Sequence, residues 1–439
     1  MVNVRINFPG LFVAVLAIGC AVPQAQESTT EPGQDAGSDH LREIADLRRD
    51  ERIDRALLHV LNARDRLNAE LIELTEIPAP PFAEGARAVR FAEMLREAGL
   101  ADVTVDEAGN VIGRRPGTVG DRVVAYTAHL DTVFPADTDV SVSVEGDTYK
   151  APGVGDNTRG LVVVLAVLRA LEAAGVETEA DILFIGNVGE EGLGDLRGVK
   201  HLFRDGADKI DSMIAVDGGK SSRLIYGGVG SHRYRVTYKG PGGHSWGAFG
   251  TANPHHALGR AIAAFVKEGP DAVAGQPKVS YNIGRVGGGT SINSVPFESW
   301  MEVDLRSGSQ DRLDVIDAVF QNAVQQALAE ENAARTRGPE LTVNVTRVGK
   351  RPAARGDIES ALVQRAAAAM RALEIEPAFA ISSTDANYPI SLGIPAITMS
   401  RGGVSGGSHS LHETWQDKDG HVAIQIGLMT LVAEAGLAH

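Results

Sequence analysis

The chain has 439 residues, of which 43% are hydrophobic, and this is enough apolar material for more than one packed core. Its formal net charge is −15 and it contains no run of basic residues, which excludes binding to nucleic-acid phosphates through clustered Lys and Arg. We therefore expect a soluble protein with two domains and no nucleic-acid partner.

The first 26 residues have the layout of a secretory signal peptide. Their apolar core, Leu11–Ile18, is too short to span a bilayer. The segment around Cys20 resembles the lipobox of bacterial lipoproteins, with Ala in place of the Leu that is usual at its first position. Two outcomes remain open, a lipid anchor on Cys20 or simple cleavage near Ala21 or Ala25. In both cases we expect an exported protein, either periplasmic or held at the membrane through that anchor alone.

Cys20 is the only cysteine, so the mature chain can form no disulfide bond and offers no thiolate to a metal ion. Any metal must therefore be bound by imidazole and carboxylate groups. Residues 27–39 are small and polar without apolar periodicity, which predicts a flexible tether. We expect the folded body to begin near His40.

The first part of the folded body shows helical spacing and then an alternation of strands and helices. The predicted elements are helices over 65–77 and 83–98, a strand over 123–127, a helix over 160–174, and short strands over 181–186 and 213–216. Such alternation predicts an α/β fold whose largely parallel sheet carries helices on both faces.

From Gly230 the order of elements changes. The predicted elements are a strand over 233–240, a helix over 254–269, strands over 278–286 and 299–307, a helix over 311–334 and a strand over 341–349. This βαββαβ order is that of a split ferredoxin-like unit. A helix over 361–373 and strands over 378–382 and 396–400 then return to the α/β pattern. We therefore predict one domain made of residues 40–228 and 352–439, interrupted by an insert domain of residues 229–351.

Side chains that can bind metal ions or transfer protons follow the predicted strands at five places. They are His129 and Asp131 in HLD, Asp156 in GVGDNTRG, Glu190 and Glu191 in GEEGLGD, Asp217 in VDGG, and His409 and His412 in GSHSLHE. Open α/β sheets bind their ligands at these strand ends. Each motif alone has a plain structural interpretation, such as a helix N-cap for Asp156. Together, however, the acids would leave unpaired charge in one cleft unless a cation binds there.

As a set, these motifs resemble those of the M20 metallopeptidases, the zinc-dependent amidohydrolases that include tripeptide aminopeptidases, glutamate carboxypeptidases and acylamino-acid deacylases. The resemblance covers nearly all of the chain after the tether, from LIELTEIPAPPFAEGARAVRFAEML to SHSLHE. It implies two zinc ions that share Asp156 as a bridging ligand. The remaining ligands would be His129 and Asp217 for one zinc, and Glu191 and His409 for the other. Asp131 would orient the ligand His129, and Glu190 would be the general base.

The implied metal site agrees with elementary coordination chemistry. Two divalent ions about 3.5 to 4 Å apart can hold a hydroxide between them and polarise a scissile carbonyl. Nitrogen and oxygen ligands suit Zn²⁺ and would also admit Mn²⁺ or Co²⁺. His409 and His412 compete for the last ligand position. The family pattern places the ligand four residues before a Glu, which favours His409 through Glu413.

The segment GHSWG, read literally, is the nucleophile elbow of a serine hydrolase, with Ser245 as the nucleophile. Such an elbow needs a strand, a sharp turn and a helix in immediate succession, and the glycines and Asn253-Pro254 after Ser245 do not allow a helix. Asp385 and His409 would complete the triad in this alternative. A non-catalytic binding protein is a second alternative, although Glu190 and the bridging ligand are both present.

In the M20 resemblance, the insert domain is a lid and His244 resembles the lid histidine that supports the oxyanion. In dimeric members of the family this histidine comes from the neighbouring subunit, so we expect a homodimer formed through the lid. Asn293 and Arg306 resemble residues that grip the substrate, although Arg306 also fits a plain surface position. The expected substrates are short peptides cleaved by an exopeptidase or dipeptidase, with N-acyl amino acids as the alternative within the family.

Overall fold

The computed structural model of the chain describes residues 36–439. The predicted signal peptide, Cys20 and residues 27–35 of the predicted tether lie outside this part. Among the described residues, no helix combines the length and the apolar character that a membrane crossing requires.

The predicted helices and strands occur in the predicted order, and the structure adds further elements between them. The helices are α1 (Ala36–Leu47), α2 (Glu51–Asn62), α3 (Arg64–Thr75), α4 (Gly85–Glu97), α5 (Gly160–Ala174), α6 (Arg197–Leu202), α7 (Pro254–Val273), α8 (Gln310–Ala334), α9 (Ala361–Arg371), α10 (Asn387–Ser391) and α11 (Gly420–Ala435). The strands are β1 (Asp102–Val105), β2 (Val111–Arg115), β3 (Val123–His129), β4 (Ser143–Glu145), β5 (Thr148–Lys150), β6 (Asp181–Asn187), β7 (Ser212–Val216), β8 (Arg223–Gly228), β9 (Gly230–Lys239), β10 (Gly243–His244), β11 (Val279–Gly288), β12 (Ser294–Val295), β13 (Glu298–Ser307), β14 (Thr342–Arg351), β15 (Ala354–Arg355), β16 (Ala378–Ser382), β17 (Ala396–Met399), β18 (Val404–Gly406) and β19 (Thr414–Gln416).

The start of the folded body differs from the prediction. Helix α1 begins at Ala36, so the last four residues of the predicted tether are helical. The helix buries Ile44 and Leu47 against the core. Burial of this apolar stripe stabilises the helix as a whole, including its first turn.

The large sheet has the strand order β1-β2-β6-β3-β7-β17-β8-β15, with β16 paired to β8. Its centre is parallel, because β3 pairs in parallel with β6 and β7, and β7 with β17. Its edges are antiparallel, since β1 pairs with β2, β2 with β6, and β15 with β8 in antiparallel orientation. The sheet is therefore mixed, with parallel pairing at its centre and between β16 and β8, and antiparallel pairing elsewhere. A short turn joins β1 to β2, and such a connection allows only antiparallel pairing.

Helices cover both faces of the large sheet, as predicted. Along β3, Val124 and Tyr126 belong to one core with α5 and α11, whereas Ala125 belongs to a second core with α6 and α10. This alternation follows from the two-residue period of a strand. Because both faces are buried, the central strands are apolar throughout, and all seven residues of β6 are buried.

The insert domain forms a separate four-stranded antiparallel sheet of order β11-β13-β9-β14. Helices α7 and α8 pack on it around a core that includes Tyr238, Phe265 and Phe320. The chain order β9-α7-β11-β13-α8-β14 is the βαββαβ order expected for a ferredoxin-like unit. Two further strands of the insert domain, β10 and β12, form a separate two-stranded antiparallel sheet.

Candidate metal centre and active site

Four parallel strands end at one edge of the large sheet, and each is followed by polar side chains. His129 is the last residue of β3, Glu190 and Glu191 follow β6, and Asp217 follows β7. Arg401 follows β17 in the same way. Because these strands are mutually parallel, their carboxyl ends bring the five side chains into one cleft.

Asp156 is delivered to this cleft by the turn Val154–Arg159, which precedes α5. The carboxylate of Glu413 accepts hydrogen bonds from the backbone N–H groups of Gly153 (3.0 Å), Gly155 (3.1 Å) and Asp156 (2.7 Å). Glu413 is fully buried, and hydrogen bonds from backbone N–H groups to a buried carboxylate are strong. Glu413 therefore fixes the turn that presents Asp156.

His129, Asp156 and Glu191 each place one potential ligand atom within 4.8 Å of the other two. Nε2 of His129 lies 3.6 Å from Oδ1 of Asp156. Nε2 of His409 lies 2.9 Å from Oε1 of Glu191 and 3.3 Å from Oδ2 of Asp156. The two imidazoles thus approach the two oxygens of one carboxylate, which is the arrangement expected of a bridging ligand.

The chemistry of this cluster fits a divalent metal ion. Nε2 of His129 is buried and has no hydrogen-bond partner among the described residues, which is uncommon for a buried polar atom. Against the lowering effect of burial, Asp156 and Asp131 raise the pKa of His129 well above its ordinary value. This shift reflects a concentration of negative charge that a bound cation would relieve. Imidazole and carboxylate groups are among the ligands that bind divalent metal ions in proteins.

His409 and His412 occupy different environments. The ring of His409 contacts Asp156 and Glu191, and these two contacts raise its pKa to about 10. His412 is exposed, and its backbone N–H donates to Oγ of Ser410. The geometry therefore favours His409 as the ligand.

Asp131 contacts His129 as predicted, but through its main-chain oxygen and not through its carboxylate. Nδ1 of His129 lies 3.0 Å from the main-chain oxygen of Asp131, and 3.7 Å from its carboxylate. The carboxylate instead accepts the backbone N–H groups of Glu190 (3.0 Å) and Glu191 (2.7 Å). Asp131 thus holds the imidazole through its carbonyl and the loop of the two glutamates through its side chain.

Glu190 is buried and pairs with Arg351, whose Nη1 lies 2.7 Å from Oε1 of Glu190. Arg351 also donates to the main-chain oxygen of Glu190 and to Oγ of Ser383 (3.0 Å). Burial raises the pKa of Glu190 well above its ordinary value, although Arg351 opposes the shift. The sequence analysis missed Arg351, which is the last residue of β14 and carries no motif.

Arg401 is a second residue of the candidate site that the sequence analysis missed. Its Nη1 lies 2.9 Å from Oδ1 of Asp156 and 3.0 Å from Oδ1 of Asp217. Although burial opposes ionisation, Arg401 holds the pKa of Asp156 well below its ordinary value. Burial and the charge of Asp156 raise the pKa of Asp217.

Asp385 lies close to the candidate metal ligands, which we call the metal-ligand cluster: His129, Asp156, Glu191, Asp217 and His409. Oδ2 of Asp385 accepts a hydrogen bond of 2.8 Å from Asn187, the last residue of β6, while its Oδ1 is buried without a partner in the described chain. Burial raises the pKa of Asp385 to about 6.

The structure does not assemble a serine-hydrolase site. Ser245 is exposed in the turn after the two-residue strand β10, and its backbone N–H donates to the carbonyl of Asn293. His409 is engaged with Glu191 and Asp156, and Asp385 with Asn187. The nucleophile-elbow interpretation of GHSWG is therefore not supported by the local fold, because no helix follows the turn directly.

His244 and Asn293 lie close together in the insert domain, at the antiparallel pair of β10 and β12. His244 pairs with Ser294 in β12, directly after Asn293. Nδ1 of His244 accepts the backbone N–H groups of Trp246 (3.2 Å) and Gly247 (3.4 Å), within its own loop. His244 is exposed, and these two hydrogen bonds hold its ring against its own loop.

Arg306 lies on β13 and bonds Oδ2 of Asp304 at 2.6 Å. Asp304 also accepts a hydrogen bond of 3.1 Å from Arg233, and Arg233 donates to the carbonyl of Gly192. Gly192 follows Glu191 directly. This chain of contacts shows that the face of the sheet carrying Arg306 is turned toward the loop of the two glutamates.

Known proteins share this fold. Residues 125–433 match the family model described as Peptidase family M20/M25/M40. The uncharacterized protein YqjE of Bacillus subtilis (strain 168) is 26% identical over 282 residues, which cover 60% of this chain and 72% of YqjE. The aminopeptidase PepT from Bacillus cereus ATCC 10987 has 21% identity and a TM-score of 0.65, covering 84% of this chain and 98% of PepT. The di-peptidase Dug1p from Saccharomyces cerevisiae has 15% identity and a TM-score of 0.68, covering 87% of this chain and 98% of Dug1p.

The family match begins inside β3 and ends inside α11. It therefore spans every strand end that contributes to the metal-ligand cluster, and also the whole insert domain. The chain belongs to peptidase family M20/M25/M40 and is an amide hydrolase of that family.

Proposed function

We propose that the protein is a dinuclear zinc-dependent exopeptidase or dipeptidase that hydrolyses the amide bonds of short peptides. The observation that carries this proposal is the approach of His129 and His409 to the two oxygens of Asp156, beside the buried Glu190. The names of two proteins with this fold, an aminopeptidase and a di-peptidase, support short peptides as the substrate class.

Two metal positions share Asp156 in this proposal. His129 and Asp217 complete the first position, and Glu191 and His409 complete the second. Bound zinc supplies a Lewis acid that polarises the scissile carbonyl and makes the attacking water more acidic. Mn²⁺ and Co²⁺ suit the same ligands.

Glu190 is the general base. Its carboxylate takes the proton from the attacking water and later gives it to the amine that leaves. Burial raises its pKa, which suits a group that must accept and then release a proton near neutral pH. Arg351 bonds both the carboxylate and the main-chain oxygen of Glu190, and so fixes its direction in the cleft.

The insert domain contributes substrate contacts in this proposal. His244 donates a hydrogen bond to the oxygen that gains charge during attack, and Asn293 and Arg306 hold the substrate backbone or carboxylate. The ring of His244 bonds only within its own loop in the described chain, which agrees with delivery from the neighbouring subunit of a homodimer. The amino-terminal sequence supports export, with the protein free in the periplasm or anchored through Cys20.

A substrate panel tests the proposed function. The zinc-loaded protein is incubated with di- and tripeptides, peptides blocked at either end, and N-acyl amino acids, and the products are identified by mass spectrometry. We expect hydrolysis of short peptides, and a requirement for a free amino terminus would identify an aminopeptidase. Cleavage of N-acyl amino acids alone would replace the peptidase with a deacylase of the same family. No cleavage of any substrate by protein with full zinc occupancy would contradict the proposal.

A further inference from the structure

Arg401 places a positive charge between two carboxylates of the metal-ligand cluster. One nitrogen, Nη1, lies 2.9 Å from Oδ1 of Asp156 and 3.0 Å from Oδ1 of Asp217. Arg401 is 3% exposed, so its guanidinium is buried in the cleft and is not a solvent-exposed surface group. Its backbone N–H donates to the carbonyl of Gly218, which anchors Arg401 beside Asp217.

This nitrogen lies at the first of the two proposed metal positions. The oxygen of Asp156 that it contacts, Oδ1, is also the oxygen that faces Nε2 of His129 at 3.6 Å. Asp217 is the third proposed ligand of that position. The second position differs, because His409 approaches the other oxygen of Asp156, Oδ2, together with Glu191.

We infer that Arg401 is a built-in cation that competes with metal at the first position, so that the chain binds one divalent ion tightly and a second one more weakly. This inference rests on the proposed function for the identity of the ligands. The tight position is formed by Asp156, Glu191 and His409. The weak position, formed by His129, Asp156 and Asp217, takes a metal ion only when the guanidinium moves away.

The competition follows from the charges involved. A guanidinium and a divalent ion that share Asp156 and Asp217 would lie within a few ångströms of each other, and like charges at this separation in a cleft repel strongly. Arg401 cannot relieve the repulsion by losing its proton, because arginine stays protonated in proteins. The metal must therefore displace a cation that two partly buried carboxylates already bind.

Zinc titration of the metal-free protein tests the inference directly. Isothermal titration calorimetry of the wild-type chain should show two binding steps whose dissociation constants differ by at least about tenfold. The Arg401→Met variant, which keeps the length of the side chain and removes its charge, should bind the second zinc at least about tenfold more tightly than wild type. Electron paramagnetic resonance with Mn²⁺ should then show coupled ion pairs at lower metal concentrations in Arg401→Met than in wild type.

Arg351→Met is the matched control. Arg351 is also a buried cation in this cleft, but it does not contact Asp156 or Asp217. The variant should retain the two-step binding of the wild type. Two equally tight zinc ions in the wild-type chain would overturn the inference whether or not Arg401→Met folds. An unchanged second dissociation constant in a folded Arg401→Met would also overturn it. Two-step binding without hydrolysis of any substrate would support the inference on metal affinity and contradict the proposed function instead.

Discussion

Nε2 of His409 lies 2.9 Å from Oε1 of Glu191, although the two residues are 218 positions apart in the chain. His409 follows β18 near the end of the chain, whereas Glu191 follows β6 in the middle of the sheet. A metal ion bound by both residues would link these two distant segments. The two side chains are close together only in the folded protein, so the unfolded chain would not bind the ion in this way. Binding to the folded state alone raises the free energy of unfolding.

Zinc should therefore stabilise the wild-type protein and stabilise His409→Ala much less. At free zinc of about 100 times its dissociation constant, the free energy of unfolding should rise by about 2.7 kcal/mol in the wild type. Urea unfolding with and without zinc measures this difference. His412→Ala is the matched control and should behave as wild type. If zinc failed to stabilise His412→Ala but still stabilised His409→Ala, His412 and not His409 would be the metal ligand.

Replacement of Glu190 by Gln should lower turnover by roughly 10² to 10⁴, because the amide cannot accept the proton of the attacking water. Zinc content should stay near that of the wild type, since Glu190 bonds Arg351 and not the metal-ligand cluster. Turnover and metal analysis on the same preparation check both points. Glu191→Gln serves for comparison and should lose zinc. If Glu190→Gln lost zinc and Glu191→Gln kept it, the two assignments would be reversed.

His244→Ala should lower turnover by about 10² to 10³, the usual cost of removing one donor to the oxyanion, with zinc still bound. Mixing His244→Ala with Glu190→Gln under conditions of subunit exchange tests where His244 acts. If the histidine serves the neighbouring subunit, some mixed dimers pair an intact metal site with an intact partner His244 and regain activity. Absence of recovery, despite demonstrated exchange, would rule out action between subunits.

Asp385 should make the metal-free protein less stable as the pH rises. Burial raises its pKa to about 6 in the folded state, from an ordinary value of 3.8. Below the pKa of the unfolded chain, this carboxyl group is protonated in both states and does not change the free energy of unfolding. Between about pH 4 and 6 the group ionises in the unfolded chain but not yet in the folded protein, so the free energy of unfolding falls. The loss approaches about 3 kcal/mol by linkage.

Asp385→Asn cannot ionise and should escape this loss. The difference in free energy of unfolding between Asp385→Asn and wild type, measured in urea and chelator, should therefore increase in favour of the variant from pH 4 to pH 7. Asn at position 385 can still accept the hydrogen bond from Asn187. A difference that stays constant over this pH range would show that Asp385 is ionised in the folded protein throughout.

Regular elements were predictable from the sequence because their apolar spacing is a local property. Helix α5 was predicted over 160–174 and spans Gly160–Ala174, and the strand β16 also has its predicted bounds. The antiparallel edges of the large sheet were not predictable, since strand direction depends on neighbours that are distant in the chain. The strands β1 and β2 themselves were also missed, because the sequence analysis predicted no strand between the helix over 83–98 and the strand over 123–127.

The acids and histidines of the metal-ligand cluster were recognisable because they follow apolar strands in short, glycine-rich motifs. Arg351 and Arg401 carry no such signal, and their carboxylate partners lie 161 to 245 positions away in the chain. The role of Asp131 was predicted only in outline. Which of its oxygen atoms faces His129 depends on backbone geometry that residue types do not specify.

The most direct test of a metal-dependent hydrolase at this cluster follows zinc content and peptide hydrolysis on one sample through removal and return of the metal. The account predicts that chelation removes zinc and abolishes hydrolysis, and that added zinc restores both. A serine-directed phosphonate should have no effect. Hydrolysis that persists in chelator and disappears with the phosphonate would contradict the account. It would indicate a serine hydrolase with Ser245 as the nucleophile.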